Sequence, residues 1–330
     1  MHVSLPAELS QIIAELAAGA GRRDLVERAG RLSGHYRERG ASRQVVAAQA
    51  DALAYGLSRM PATYAAVRAV LADLERGAPD FVAGSVLDAG AGPGTAALAA
   101  AQTWPDIAPV LLDENPVFLD LAAQLNPPAQ LQRGDLRSFE LGRRFDLVTC
   151  AYALTELADA DMAGVVDRLW RHCGGLLLLV EPGRPRDYAR FMQVRTQLLS
   201  LGAEMIGPCP HRLACPLREP DWCHFSVRLD RSRDHRQLKQ AALGYEDEKF
   251  SYLLFGRPGI GRPAAARIIK PPRENKFSVT LPLCLPHGAA EDLVVERRQG
   301  AAFKQARKAA WGEDWTPGGP EGVSPERGQG

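Results

Sequence analysis

The stretch SVLDAGAGPGTAALAAAQ, residues 85–102, constrains the fold more than any other part of the chain. A short apolar strand leads to an aspartate, three glycines follow at alternate positions, and an alanine-rich helical segment comes next. Glycine at such positions permits a tight turn and a close approach of the backbone to a ligand. Because the glycines lie between a strand and a helix, they predict a ligand-binding turn in an α/β sheet.

The residues that follow extend this pattern. From residue 82 to about 173, short apolar strands alternate with helical segments, which is typical of a parallel sheet. The second strand ends in Asp113, about twenty residues after the glycines, where a carboxylate can accept both ribose hydroxyls of a nucleoside. Asp135 follows the third strand and could face an adenine amine. The alternative for Asp113 is a turn residue before Asn115 and Pro116.

Composition divides the chain into three parts. The first lacks strand signals and predicts an N-terminal helical domain, the second predicts the α/β domain, and the third predicts a helix and a Gly/Pro-rich disordered tail. Their bounds are residues 1–80, 81–300 and 301–330. A cysteine-rich insertion is expected within the α/β domain at about 205–245, and later strands are expected at 249–257 and 277–285.

The balance of residue types favours a globular protein with a sizeable core. The 330 residues are 46% hydrophobic and 24% charged, with a net charge of +1. The first residues lack both a signal-peptide pattern and the Arg- and Ser-rich pattern of a transit peptide. The apolar run at 176–180 is too short to cross a bilayer. We therefore expect a cytoplasmic monomer that does not bind membranes, in which clustered cysteines favour metal binding or catalysis over disulfides.

The α/β motifs resemble those of class I S-adenosylmethionine-dependent methyltransferases. The matching residues are Asp88, Gly90, Gly92, Gly94, Asp113 and Asp135. The resemblance covers roughly residues 81–182 and the two later strands. It implies a Rossmann-like sheet and S-adenosylmethionine as cofactor, with Asp113 on the ribose and Asp135 on the adenine side. A nicotinamide fingerprint differs, because it lacks the leading acid.

The acceptor of a methyl group is not evident from the sequence. The fourth strand is followed by CAYALTEL, where amino-group methylases of bases carry an N/D-P-P-Y/F string. Cys150 ends that strand, but no Pro-Cys pair precedes it, and a buried cysteine needs no special role. Cys173 has the same interpretation. The catalytic residue stays unidentified, and enzymatic activity stays open.

A Pro-rich loop, GPCPHRLACPLREPDWCHF at 207–225, contains half of the six cysteines. These are Cys209, Cys215 and Cys223. Cys284 lies on a predicted later strand that could return beside the loop, and four thiolates suit either zinc or an iron–sulfur cluster. His211 and His224 are further candidate ligands. The alternative is a set of unrelated buried cysteines, since the C-x-x-C pair of a zinc ribbon is missing.

Five further segments carry a second resemblance: MPATYAAV (60–67), LVEPG (179–183), CPH…CP…WCHF (209–225), GYEDEKFSYLLFGR (244–257) and ARKAAWGEDW (306–315). With them the chain is similar to the methyltransferase-like proteins of the small ribosomal subunit. That family has bacterial members and mitochondrial members that assist mitoribosome assembly. The resemblance implies that Cys209, Cys215, Cys223 and Cys284 hold a 4Fe–4S cluster. Because a transit pattern is missing, we expect a bacterial member.

The charge distribution indicates a nucleic-acid partner. Residues 212–276 contain fourteen basic and eight acidic side chains, an excess that can neutralise phosphates. Trp222, Phe225 and Tyr245 could stack on bases, and Arg231, Arg233 and Arg236 are expected along a helix that contacts RNA. The alternative is a solvated basic face.

The resemblance implies small-subunit rRNA as the partner. Two functions fit it: an rRNA methyltransferase, or an assembly factor that binds S-adenosylmethionine without transferring a methyl group. A zinc-stapled RNA-binding protein with a vestigial methyltransferase fold is the alternative to both.

Overall fold

The computed structural model describes residues 3–38, 42–239 and 241–316. Its helices are α1 (Ala7–Ala17), α2 (Arg22–Arg37), α3 (Gln49–Ser58), α4 (Met60–Gly77), α5 (Thr95–Ala101), α6 (Pro116–Leu125), α7 (Asp159–His172), α8 (Pro185–Ser200), α9 (Arg233–Leu238) and α10 (Ala301–Ala306). Its strands are β1 (Ser85–Ala89), β2 (Ala108–Asp113), β3 (Gln130–Arg133), β4 (Phe145–Ala151), β5 (Cys173–Pro182), β6 (Glu204–Gly207), β7 (Phe225–Asp230), β8 (Tyr245–Gly256), β9 (Arg267–Ile268), β10 (Arg273–Glu274), β11 (Ser278–Cys284) and β12 (Ala290–Glu296).

The first eight strands form the main sheet, in the spatial order β3-β2-β1-β4-β5-β8-β6. Strand β7 pairs with the first half of β8, beyond the end of β6. Strands β1 to β5 run parallel, and β8 returns antiparallel to β5. The Rossmann-like α/β sheet predicted from the glycine motif is therefore confirmed.

Helices cover both faces of this sheet. In β5, Leu176, Leu178 and Val180 belong to the core that α4 and α5 share with the sheet. Leu177 and Leu179, at the alternate positions, pack into the core with α7 and α8. A strand covered on both faces needs apolar residues at every position, which explains the continuous apolar run in the sequence.

The N-terminal helices divide between two cores. Helices α1, α2 and α3 close a core of their own with α6, in which Ile13, Leu32 and Leu121 are fully buried. Helix α4 packs on the main sheet instead, through an apolar face that includes Val67 and Leu74. The domain boundary expected near residue 80 stays a prediction, because α4 is part of the sheet's own core.

Strands β9 to β12 form a second, antiparallel sheet with its own small core, to which α10 contributes Ala306. Strand β11 pairs with β12 along its whole length, from Ser278 opposite Glu296 to Cys284 opposite Ala290. The expectation that residues 277–285 belong to the methyltransferase sheet is wrong. Strands β6 and β7 together cover the edge of β8, so β11 cannot pair there.

Most of the predicted disordered tail, residues 317–330, lies outside the described residues. In the part of the chain that is described, no helix combines the length and apolar character that a membrane crossing requires.

Candidate functional site

A cavity of about 360 Å³, named here the strand-end cavity, opens at the carboxyl ends of β1 to β5. Its wall includes Gly90 after β1, Asp113 at the end of β2 and Asp135 after β3. Tyr152 after β4 and Pro182 at the end of β5 extend the same wall. Open α/β sheets bind their ligands outside the carboxyl ends of the strands, so this cavity is the expected ligand site.

The three glycines of the loop after β1 have different surroundings. Gly90, Gly92 and Gly94 have φ angles of 70°, 54° and 80°, and the first two line the cavity. A Cβ at Gly94 would lie 2.8 Å from Cδ1 of Leu111, so this glycine allows α5 to pack on β2. A Cβ at Gly92 would meet no atom closer than Cδ2 of Phe118, at 3.9 Å. Gly92 therefore leaves open space in the loop.

Asp88, which the sequence predicts as a ligand-binding residue, lies behind the glycine loop and does not line the cavity. Its carboxylate accepts hydrogen bonds from the backbone N–H of Ala97 at 3.0 Å and from Oγ1 of Thr149 at 2.9 Å. Burial raises the pKa of this carboxyl to about 7. Asp88 joins β1 to β4 and to the first turn of α5, which fixes the shape of the loop.

Asp113 lies in the cavity wall, where the sequence expects the ribose-binding acid. One carboxylate oxygen accepts the N–H of Gly92 at 2.7 Å, and the other accepts the N–H of Asn115 at 2.8 Å. Burial raises the pKa of Asp113 to about 6, and the two N–H donors oppose that shift. The side chain ties the end of β2 to the glycine loop of β1.

Asp135 also lines the cavity, but its carboxylate is shared with Arg137. The guanidinium of Arg137 donates to both oxygens, with Nε at 2.9 Å from each of them. The backbone N–H of Arg137 donates to Oδ1 at 2.8 Å. An adenine amine at this position would therefore share the carboxylate with Arg137.

A further part of the wall is aromatic and basic, which the motif analysis missed. It consists of Tyr36, Tyr55, Tyr152, Arg59 and Arg184. Tyr152 has a φ angle of 60°, a strained conformation for a residue other than glycine, and its hydroxyl donates to Oε1 of Glu248 at 2.9 Å. The available signal was the acidic EDE run of the GYEDEKFSYLLFGR segment, in which Glu248 is the buried acid.

Cys150 and Cys173, the two cysteines outside the set predicted to bind metal, are not placed as nucleophiles. Cys150 is fully buried in β4, and burial first, with Glu181 second, raises the pKa of its thiol. Cys173 is buried at the start of β5, where burial raises the pKa of the thiol to about 12. A nucleophile requires an accessible thiolate, so both cysteines act as apolar core residues.

The four cysteines singled out in the sequence line a second cavity, named here the thiol cavity. They are Cys209, Cys215, Cys223 and Cys284, and all four are free thiols. The first three come from the segment between β6 and β7, and Cys284 comes from β11 in the second sheet. Much of the remaining wall is apolar, with Phe191, Met192, Leu217, Leu253 and Ile269.

Three polar side chains contact these thiols, and one of them is Arg195, which is hydrogen-bonded to the thiol of Cys209. The hydroxyl of Tyr188 lies 2.9 Å from Sγ of Cys215, and Nε2 of His211 lies 3.4 Å from Sγ of Cys284. His224 is different, because it stacks on the indole ring of its neighbouring tryptophan, with ring centroids 4.5 Å apart. Of the two histidines proposed as further ligands, His211 alone reaches a cysteine sulfur in these contacts.

Among residues 3–38, 42–239 and 241–316, no three His, Cys, Asp or Glu side chains are placed to hold a single metal ion. The metal-binding character of the cysteine loop therefore stays a prediction. What the structure provides is a set of four free thiols around one cavity, contributed by two distant parts of the chain.

Several basic side chains of the segment 212–276, which the sequence expects to contact RNA, are paired with acids in the structure. Arg231 and Lys239 both bond to Glu246, at 3.2 Å and 2.7 Å. Helix α9, which carries the other two arginines expected to contact RNA, packs against α2 and α3. Acidic residues of β8 compensate part of the positive charge of this segment, because β7 pairs with the acidic first half of β8. This pairing places Arg228 opposite Asp247.

Comparison with known proteins now assigns the family. A profile described as mitochondrial small ribosomal subunit Rsm22 matches residues 49–316. The chain belongs to the Rsm22 family. The matched residues include Asp88, the glycine loop, Asp113, Asp135 and all four cysteines of the thiol cavity.

Two relatives show how much of the family's length is present. The human "Ribosome assembly protein METTL17, mitochondrial" is 29% identical over 290 residues, which cover 79% of this chain and 61% of that protein. The "Rsm22-cox11 tandem protein 2, mitochondrial" of Schizosaccharomyces pombe is 27% identical over 326 residues, which cover 79% of this chain and 42% of that protein. This Rsm22 chain thus spans less than two thirds of either relative.

The family profile and both relatives are described as mitochondrial. This finding contradicts the expectation of a cytoplasmic protein, which rested on the first residues of the chain. Sequence composition could not reveal the compartment, because the cysteine pattern and the charge balance are compatible with more than one.

Solved structures of two methyltransferases are similar to parts of this chain. The plantazolicin methyltransferase BpumL, determined with SAH, is 12% identical, with 76% of this chain and 100% of that chain covered and a TM-score of 0.42. The magnesium protoporphyrin IX methyltransferase of Synechocystis is 15% identical, with 59% and 83% covered and a TM-score of 0.38. Scores and identities this low carry no information about activity.

Proposed function

We propose that the chain binds S-adenosylmethionine in the strand-end cavity and takes part in assembly of the small ribosomal subunit through its rRNA. The observation that carries this proposal is the loop after β1, where Gly92 leaves open space beside Asp113. The family description names the small ribosomal subunit, and the human relative is named a ribosome assembly protein.

The ligand contacts follow from the wall residues. The carboxylate of Asp113 would accept the ribose hydroxyls, and its oxygens have enough lone pairs to keep the N–H of Gly92 as well. Asp135 would accept from the adenine amine, with Arg137 sharing its oxygens. Gly90 and Gly92 would lie against the methionine part, where a side chain would intrude.

The remaining residues of the motif support the loop from behind. Asp88 holds β1, β4 and α5 together, and Gly94 is in contact with Leu111 of β2. Replacing either residue would disturb packing as well as binding. Gly92 is the informative position, because a methyl group there has room in the folded protein.

Gly92→Ala tests the ligand site. The alanine would adopt a left-handed conformation, at a cost of about 1–2 kcal/mol, without a steric clash. Gly142→Ala is the matched control, because Gly142 is exposed, has a φ angle of 64° and would place its Cβ in open space. Titration calorimetry should show a large loss of S-adenosylmethionine affinity in Gly92→Ala and none in Gly142→Ala. Equal affinities in the two variants would place the ligand elsewhere.

The proposal has two forms, which differ in whether a methyl group is transferred. An rRNA methyltransferase would position its acceptor for in-line attack on the sulfonium methyl group, whereas an assembly factor would bind the ligand without transfer. Incubation with methyl-labelled S-adenosylmethionine and immature small subunits distinguishes them. Label in rRNA with wild-type protein and none with Gly92→Ala supports the methyltransferase. Persistent binding without label supports the assembly factor.

We also propose that the four thiols of the thiol cavity hold a 4Fe–4S cluster. The donor set fits, because four free cysteines face one largely apolar cavity and thiolates are the ligands of such clusters. A bound cluster would supply a redox-active crosslink between the loop and the second sheet. A zinc-stapled RNA-binding protein is the alternative.

Metal analysis of protein purified without oxygen tests the cluster. Wild-type protein and Cys173→Ala should be brown and contain iron and sulfide, since Cys173 lies in the core of the main sheet. Cys215→Ala should lose most of the iron and also unfold more easily, because ligand binding energy contributes to folding. Colourless wild-type protein with one zinc ion per chain would reject the cluster in favour of zinc.

A further inference from the structure

Two arginines are buried beside the thiol cavity, and they differ in their partners. Arg267 is 1% exposed and lines the cavity, and Arg195 of α8 is 3% exposed. Arg267 forms a two-pronged ion pair with Asp73, at 2.8 and 3.0 Å, and lies 2.7 Å from Asp314. Its charge is therefore neutralised within the protein.

Arg195 has no such acid. Its Nη2 donates to the carbonyl oxygens of His211 at 2.9 Å and Leu213 at 2.8 Å, both between Cys209 and Cys215. None of the ion pairs among the described residues involves Arg195, and its buried Nε has no hydrogen-bond acceptor. A buried charge without a partner is strongly destabilising, so a structure that keeps one implies a compensating charge.

The compensating charge has to come from the cavity side. Arg195 is hydrogen-bonded to the side chain of Cys209 and to the carbonyls of His211 and Leu213, so its charge lies against the loop that carries the thiols. Four thiolates around either zinc or an iron–sulfur core leave a net negative charge, because their four negative charges exceed the net positive charge of the zinc ion or of the core. Such an anion beside Arg195 would satisfy both the charge and the orphaned Nε.

We infer that Arg195 is the charge-compensating residue of the thiol cavity, which orders the cysteine loop through two carbonyls and offsets the negative metal–thiolate group. This inference rests on the proposed metal site and holds for either metal. Arg195 is a positioning residue in this role and not a ligand. Arg267 cannot take the role, because Asp73 and Asp314 already balance it.

The test compares Arg195→Gln, Arg195→Lys and the control Arg186→Gln in the full chain, each purified without oxygen. Arg186 is on the same helix, and its side chain is 47% exposed. We expect metal affinity to fall on the order of 10–100-fold in Arg195→Gln, as for other groups that support metal ligands, and to be unchanged in Arg186→Gln. The rise in melting temperature on metal loading, measured against each variant's own metal-free form, should shrink in Arg195→Gln alone.

The reduction potential of a bound cluster distinguishes an effect of the charge of Arg195 from an effect of its shape. Reduction of a cluster adds a negative charge, which Arg195 would stabilise, so Arg195→Gln should lower the potential. Arg195→Lys keeps the charge and should stay close to the wild-type potential. Equal shifts in the Gln and Lys variants, or a Gln variant with wild-type metal affinity and loading response, would overturn the inference. If Arg195→Gln does not fold, the test depends on Arg195→Lys alone. Metal affinity and a reduction potential close to those of the wild type in Arg195→Lys would support the inference. A lower metal affinity or a shifted potential in this variant would overturn it. Wild-type protein that takes up neither iron nor zinc would instead reject the proposed metal site itself.

Discussion

The ion pair between Asp73 and Arg267 should be one of the most costly contacts of the fold to break. Asp73 lies on α4 and Arg267 on β9, and both are buried. Tyr252 of β8 donates a third hydrogen bond to the same carboxylate. The guanidinium also donates to the carbonyl of Pro208, next to the cysteine loop, and to that of Gly312. One acid thus joins the helical layer, the main sheet and the second sheet.

The expected loss of stability depends on which buried groups each substitution leaves without a partner. Asp73→Asn keeps the size of the side chain and leaves the guanidinium buried without its main partner, which costs about 3–5 kcal/mol. Asp314 stays 2.7 Å from Arg267, so we expect the lower end, about 3 kcal/mol. Tyr252→Phe removes a donor to a charged acceptor and should cost about 1.5–3 kcal/mol.

Equilibrium unfolding in urea measures these costs, provided that the slope of stability against urea is the same for all variants. Asp292→Asn is the matched control, because it breaks the Arg273–Asp292 pair, in which both side chains are at least half exposed. Such a surface pair contributes at most about 1 kcal/mol. If Asp73→Asn loses no more stability than this control, the buried pair does not join the layers in the way described.

Three further predictions concern pH, RNA and the thiols of the core. Burial raises the pKa of Glu181 from 4.5 to about 8, so the folded protein keeps a proton that the unfolded chain loses; stability should fall as pH rises through this range, and Glu181→Gln should flatten the curve measured by urea unfolding. Replacing the exposed Arg233 and Arg236 together with alanine should reduce the slope of log binding constant against log salt concentration for small-subunit rRNA by up to about two. Arg231→Ala should mainly reduce stability, because it leaves Glu246 without this partner. Filter binding over a salt series would contradict the prediction if all three substitutions acted alike. Cys150→Ala should leave S-adenosylmethionine affinity in calorimetry unchanged, and a loss of binding without a loss of stability would give that cysteine a role in the site.

Local sequence patterns predicted the parts of the site that local geometry determines. The glycine loop follows β1 because positive φ angles are needed at three positions, and glycine adopts them readily. Asp113 could be placed at the end of β2 because parallel strands present their carboxyl ends at one edge of the sheet. The convergence of Cys284 with the cysteine loop came from family resemblance, since no spacing rule connects the two sheets.

The sequence could not show contacts between distant parts of the chain. One example is Thr149, on the neighbouring strand, which donates a hydrogen bond to the carboxylate of Asp88. The basic excess of the segment looked free because composition does not show that β7 pairs with the acids of β8. Tyr152 carried no motif, and its strained backbone is visible only in three dimensions.

The position of Cys284 also determines when the thiol cavity can form during synthesis. The third cysteine of the loop, Cys223, leaves the ribosome about 60 residues before Cys284, a delay of about 3–12 s at ordinary elongation rates. During this interval three thiols of a nascent chain have no fourth partner, and β11 has no β12 to pair with. The cavity is therefore complete only after β11 has been made, and a chain truncated before β11 would leave the three thiols without Cys284.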